Sequence, residues 1–355
     1  MTPKIMIILG SSSDIAIADK AMDVLDKLEI PYSLKIASAH RTPNLVREIV
    51  SQGSDAGIEV FIGIAGLAAH LPGAIAAHTP RPVIGVPVDV KTGGIDALQS
   101  VVQMPYPSPI ATVGIDRGDN AAILAAQFIA LHDEELRQRL IDLRWDYAKK
   151  VYNSNEEVVQ KIDRPYIQND FLRIKNLEIN GVKIDESDLE VSCKNIDAEV
   201  SIIVGRQTDM PVAKNVAVIL DRLKISYDTK VVCPIRSTKK FTEYVKCMKK
   251  AKIFIGISSN SSQVTGGIVG LTEKPVIGVP CVNEKGNDYM LTTVSMPPGV
   301  PVATVGINNG KNAAVLAGEI LAIDNPDITE LLGKLKDKKI NISLDRKSGS
   351  AGMPR

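Results

Sequence analysis

The sequence predicts two tandem copies of a three-layer α/β/α sandwich, each built on a parallel sheet. Three observations predict this. Short continuous apolar runs such as Ile5-Met6-Ile7-Ile8-Leu9 alternate with stretches whose apolar residues recur at helical spacing, as buried parallel strands and their covering helices require. Long identities also recur in the same order. Pro82-Val83-Ile84-Gly85-Val86-Pro87 returns as Pro275-Val276-Ile277-Gly278-Val279-Pro280, and Ala111-Thr112-Val113-Gly114-Ile115 returns as Ala303-Thr304-Val305-Gly306-Ile307, the signature of an internal repeat. Finally, 45% hydrophobic and 23% charged residues in 355 let each half, at roughly 150 residues, bury a core of its own.

The elements follow in order. Lys4 to Leu9 reads as a buried strand, and Ile17, Ala21, Val24, Leu25 and Leu28 form the apolar face of the helix after it. Further strands are predicted near Ser33 to Ala37, Val60 to Ile64, Val83 to Val88 and Ile110 to Ile115, each followed by a helix-compatible stretch. Five βα units of this kind imply a flavodoxin-like or Rossmann-like sheet. A long helical stretch including Leu131, Leu136, Leu140 and Leu143 carries the first unit to about Val151, so that it spans residues 1–151. Residues 152–198 belong to neither repeat and read as a connector, in which Phe171 to Ile184 alternates around Asn180-Gly181 like a small hairpin. The second unit, residues 199–337, begins with Ile202-Ile203-Val204-Gly205-Arg206-Gln207-Thr208-Asp209, the counterpart of Ile7-Ile8-Leu9-Gly10-Ser11-Ser12-Ser13-Asp14. Residues 338–355 are polar and basic and read as a disordered tail.

Composition excludes several classes of function. A formal charge of +1 and 4% aromatic residues give neither an electrostatic footprint nor stacking platforms for nucleic acid. Met1-Thr2-Pro3-Lys4 leads straight into a strand of about six residues, too short for a signal h-region or a membrane span, so a cytoplasmic protein with no membrane contact is expected. Cys193, Cys233, Cys247 and Cys281 contain no Cys-x-x-Cys pair, suggest neither zinc site nor disulfide framework, and read as reduced thiols.

In open α/β sheets, ligands bind beyond the carboxyl ends of the strands, and three unusual loops fall there. Gly10-Ser11-Ser12-Ser13-Asp14 offers backbone N–H groups, hydroxyls and a helix N-terminus, which suit a phosphate; a serine-rich turn that only caps a helix accounts for it equally well. It lacks the glycine and lysine spacing of nucleotide P-loops and of dinucleotide folds, so neither ATP nor NAD is indicated. Ser38-Ala39-His40-Arg41-Thr42-Pro43 places a side chain able to exchange a proton near neutral pH beside a permanent cation. The third loop, Ala65-Gly66-Leu67-Ala68-Ala69-His70-Leu71, is small and apolar until His70. It suits either close approach of a substrate sheltered from water or tight packing of helix on sheet. In the second half Cys233-Pro234-Ile235-Arg236-Ser237-Thr238 has no histidine, and none occurs after His132. Acid/base chemistry is therefore expected in the first half alone.

These motifs, with Ala68-Ala69-His70-Leu71-Pro72-Gly73 and Gln103-Met104-Pro105 in the same order, resemble the N5-carboxyaminoimidazole ribonucleotide mutase family of purine biosynthesis across residues 1 to about 150. The resemblance implies an isomerase that moves a carboxylate from the exocyclic nitrogen of a ribonucleotide to carbon 4 of its imidazole ring, with no metal or cofactor. It implies His40 as general acid and base, with His70 orienting the apolar loop or the carboxylate. Ser11, Ser13 and Asp14 would bind the ribose phosphate end and Arg41 would pair with the phosphate, with Gly10, Ser38 and Ala39 also binding substrate, while the loop from Ala65 to Leu71, through Ala65, Gly66, Ala68 and Leu71, would trap the carbon dioxide. It also implies a homo-oligomer, here four two-domain chains supplying eight domains. A related family that carboxylates aminoimidazole ribonucleotide directly is the alternative enzyme, and a non-catalytic nucleotide-phosphate binding protein a third reading. Leu67 stands where the family has glycine, and Tyr106-Pro107-Ser108 replaces its Gly-Gly-Val.

Overall fold

The computed structural model describes residues 2–154, 157, 161–162, 196–283, 285–286 and 289–349, with side chains described as far as residue 337. Strands β1 (Ile5–Leu9), β2 (Tyr32–Ile36), β3 (Val60–Gly66), β4 (Val83–Val88) and β5 (Ala111–Thr112) alternate with helices α1 (Ile15–Lys27), α2 (Pro43–Asp55), α3 (Leu71–Ala76), α4 (Ile95–Val102) and α5 (Gly118–Ile129), and α6 (Glu134–Ser154) follows. The second half repeats the series as β6 (Val200–Val204), α7 (Met210–Arg222), β7 (Tyr227–Val231), α8 (Thr238–Cys247), β8 (Ile253–Ser258), α9 (Gln263–Leu271), β9 (Val276–Pro280), α10 (Met290–Val294), β10 (Ala303–Thr304), α11 (Gly310–Leu321) and α12 (Pro326–Gly349).

Each half has the strand order 2-1-3-4-5 of the flavodoxin-like sheet, all parallel. The side-chain period of two sorts strand residues onto opposite faces. Ile5, Ile7 and Leu9 enter the core beneath α1 and α5, whereas Met6 and Ile8 enter the core beneath α2, α3 and α4. The two sheets are not separate. β5 pairs with β10 antiparallel at Thr112 and Thr304, so the halves form one ten-stranded sheet with a pseudo-twofold relation at its centre. The core beneath α1 and α5 accordingly continues into the second half beneath α7 and α11.

Matching amides lock this junction. Asn120 Nδ2 donates to the carbonyls of Met296 and Pro297 at 3.3 and 2.9 Å, and Asn312 Nδ2 donates to those of Met104 and Pro105 at 2.9 and 3.4 Å. Repetition alone predicts two copies but not that they share a sheet, because β5 and β10 pair through a single residue each.

The structure refines other expectations. The helical stretch after β5 is two helices rather than one, because Asp133 Oδ1 accepts from Leu136 N at 3.0 Å and starts α6 afresh. The chain is helical to Gly349, past Lys338 where a disordered tail is expected; no glycine or proline interrupts residues 334–348. Cys233 and Cys281 are free thiols but Cys247 is disulfide-bonded, which corrects the reading of four reduced thiols. Sequence spacing does not reveal cysteines that the fold brings together. The hairpin over Phe171 to Ile184 lies outside the described residues. Among them, no helix is long and apolar enough to cross a membrane.

Candidate active site

All three loops leave the carboxyl ends of β1, β2 and β3, where the order of the sheet reverses, and they line one open cavity of about 440 Å³. Every candidate residue lines it: Gly10, Ser11, Ser13, Asp14, Ser38, Ala39, His40, Arg41, Ala65, Gly66, Ala68, His70 and Leu71. Leu67, Ala69 and Val90 complete the wall. Val90 follows β4 at the same rim, and its one signal in the sequence is its position just past an apolar strand.

At the floor, β1 ends in Gly10 and the chain turns through a short 3-10 segment into α1. Ser11 opens that turn with its hydroxyl accepting from Ser13 N at 3.3 Å and from Ser13 Oγ at 2.9 Å, while Ser13 Oγ also lies 3.1 Å from Asp14 Oδ1. Asp14 is buried. Burial raises its carboxyl above the usual carboxylate range, partly offset by the Ser13 hydroxyl and Ser11.

The second loop is braced against the first. Thr42 N donates to Ser38 O at 2.8 Å, and Arg41 Nε donates to Ser38 Oγ at 3.4 Å. Arg41 Nη2 donates to Gly10 O at 3.2 Å, which fixes the guanidinium against the serine turn at the cavity wall. His40 and His70 stack with ring centroids 5.6 Å apart and planes inclined by 29°. Both rings are exposed at the rim.

The third loop is shaped by close approach. A Cβ at Gly66 would come within 2.4 Å of Val90, and Leu67 and Ala69 have φ of +55° and +25°, a region that favours glycine. Leu67 holds this conformation with its side chain 48% exposed, beside the cavity. Ala65 and Ala69 are buried, and both line the cavity together with His40 and His70.

The family model described as AIR carboxylase matches residues 4–150 and again residues 199–341. The chain belongs to the AIR carboxylase family. "Probable N5-carboxyaminoimidazole ribonucleotide mutase" of Methanobrevibacter smithii is 70% identical over 342 residues, covering 96% of this chain and all of that protein. A protein of the same name from Methanothermobacter thermautotrophicus is 48% identical over 341 residues, covering 96% of this chain and 99% of its own length. "N5-carboxyaminoimidazole ribonucleotide mutase" of Methanocaldococcus jannaschii is 55% identical over 154 residues, 43% of this chain and 96% of that protein. AIR carboxylase family members thus occur both at the length of this chain and at about the length of one of its halves.

Proposed function

We propose that this chain converts N5-carboxyaminoimidazole ribonucleotide to 4-carboxy-5-aminoimidazole ribonucleotide in purine biosynthesis, acting in the cytoplasm through the first-half cavity. The observation that carries this reading is the meeting of a serine turn, Arg41, the stacked pair His40 and His70, and a small apolar loop around one cavity, in a chain 70% identical over its length to a protein named for that reaction.

The residues divide the work. Ser11, Ser13 and the backbone of the turn receive the ribose phosphate, and Arg41 adds charge-assisted hydrogen bonds from N–H groups its bonds to Gly10 and Ser38 leave over. Protonated His40 gives its proton to the exocyclic nitrogen as the nitrogen–carbon bond breaks, releasing carbon dioxide and leaving aminoimidazole ribonucleotide. Carbon 4 attacks that carbon dioxide, and neutral His40 removes the carbon 4 proton, which restores the aromatic ring and the enzyme. One group serves as acid and then base, so no net proton is consumed. Ala65, Gly66, Ala68 and Leu71 hold the carbon dioxide, and retention keeps recombination effectively unimolecular. His70 orients the carboxylate beside His40.

We further propose that four chains assemble so that neighbouring copies cover the cavity mouths. Ile15, Leu45, Leu67 and Val90, all substantially exposed in the single chain, support this reading. Light scattering should give a mass four times 38.2 kDa; a monomer would refute the assembly.

The test of function is product formation without ATP, comparing the N5-carboxylated substrate with aminoimidazole ribonucleotide plus bicarbonate. Preference for the first supports the mutase, preference for the second makes the chain a direct carboxylase, and product from neither refutes both. His40→Asn should lose turnover by about 10²- to 10⁴-fold while ligand binding survives.

A further inference from the structure

The second half retains a cavity at the equivalent rim, of about 260 Å³, among Gly205, Arg206, Cys233, Arg236, Ser258 and Gln263. Its frame copies the first. Arg236 Nη2 donates to Gly205 O at 2.7 Å as Arg41 does to Gly10, and Asp209 is buried like Asp14, accepting from Ser259 N at 3.2 Å. The changes run in one direction. Ile235 stands for His40 and Gln263 for His70, so the proton-exchanging groups are gone. Ser258, Asn260 and Ser261 stand for Ala65, Leu67 and Ala68, so the apolar wall has become a hydrogen-bonding one. Arg206 stands for Ser11, which adds a second permanent cation.

We propose that this second cavity is a non-catalytic binding site for a phosphate or small phosphomonoester dianion, held between Arg206 and Arg236. The two guanidinium groups come from different loops and share one cavity, and planar guanidinium groups match phosphate oxygens through paired hydrogen bonds. The Asn260 side-chain amide lies against the Arg206 guanidinium, and with its oxygen turned to that side it accepts from Nε, Nη1 and Nη2. The local potential is positive by a second sign. Burial pushes the Cys233 thiol up, yet the backbone N–H groups of Arg236 and Ile235 and the Arg236 guanidinium outweigh it and hold the thiol below its ordinary range. The smaller volume admits the anion and part of a sugar, with no histidine to turn it over. Free phosphate and a sugar phosphate share this chemistry.

Calorimetry on the full-length chain separates them, with inorganic phosphate and ribose 5-phosphate as titrants at constant ionic strength. Ribose 5-phosphate should bind at two sites per chain, one weakened at least tenfold by Arg41→Gln and the other by Arg206→Gln. Inorganic phosphate binding at the Arg206 site while ribose 5-phosphate does not would assign free phosphate as the ligand. Gln263→Glu places a carboxylate on the wall and should abolish binding there even if Arg206→Gln fails to fold. Mutase turnover should be unchanged by Arg206→Gln. A single site sensitive only to Arg41→Gln, or a second site indifferent to both Arg206→Gln and Gln263→Glu, would overturn the proposal while leaving the first-half assignment standing. Loss of binding only in Arg41→Gln together with absence of turnover in the parent chain would count against both.

Discussion

Glu319 makes the stability of this protein fall as pH rises through neutrality. It lies on α11 with its side chain 3% exposed, and Lys336 Nζ on α12 donates to its Oε1 at 2.8 Å. Burial pushes its carboxyl from an ordinary 4.5 up to about 7, an effect that Lys336 opposes but does not cancel. Between those values the folded chain holds a proton that the unfolded chain has released. The contribution to stability is therefore complete below pH 4.5 and is lost as pH rises through about 7. At about 1.4 kcal/mol per pKa unit, the interval is worth about 3 kcal/mol. Glu319→Gln keeps the shape and removes the titration. Between about pH 5 and about pH 8, urea unfolding should show a drop in the parent that exceeds the variant's by about 2–3 kcal/mol, with the variant the more stable at the higher pH. Comparing the two chains cancels the buried Asp14, whose raised carboxyl acts in the same sense, and Asp133, whose lowered one opposes it. Parallel pH profiles for parent and variant would refute the reasoning.

Other perturbations test the site and the junction. Arg41→Ala removes the cation fixed over the serine turn, and steady-state kinetics should show KM raised by about tenfold or more, the worth of about 1.5–3 kcal/mol for hydrogen bonds to a charged group. Asn120→Ala strands the carbonyls of Met296 and Pro297 and the N–H of Gly299 at the junction; thermal unfolding should register a loss of about 2 kcal/mol. Gly118→Ala would set a Cβ 2.0 Å from Ile17 O where α5 crosses α1, and should cost more than about 3 kcal/mol or prevent folding, read by circular dichroism.

The site was legible because its chemistry is local in sequence. Gly10 to Asp14, Ser38 to Arg41 and Ala65 to Leu71 each follow a strand that composition reveals, and the carboxyl-end rule brings strand ends together without knowledge of the strand order. Val90 is not legible in the sequence because its contribution is shape alone: its methyl group is what makes Gly66 necessary. The strained backbone of Leu67 was visible only as a departure from the family's glycine, and its φ of +55° gives the physical reason glycine suits that position. The union of the two sheets was not legible. It rests on one antiparallel residue pair and on amides such as Asn120 and Asn312, which bond to loops far away in sequence.

That union explains how one half could lose its histidines and keep its fold. Without the second half, β5 would be an edge strand with unpaired N–H and C=O groups. The apolar surfaces of Leu98 and Val102, which pack with Met290 and Val294 in one buried cluster, would also face water. Every substitution that weakens the second fold therefore weakens the sheet on which the first cavity stands. The rim positions equivalent to the first half's acid/base groups carry no such burden, since Ile235 is 65% exposed where His40 stands in the first half. Changes at the rim are free to remake the ligand chemistry; changes in the sheet are not. On this reading, β6 to β10 and the junction amides are retained for stability, and Arg206, Arg236 and Gln263 record what the second cavity has been remade to hold.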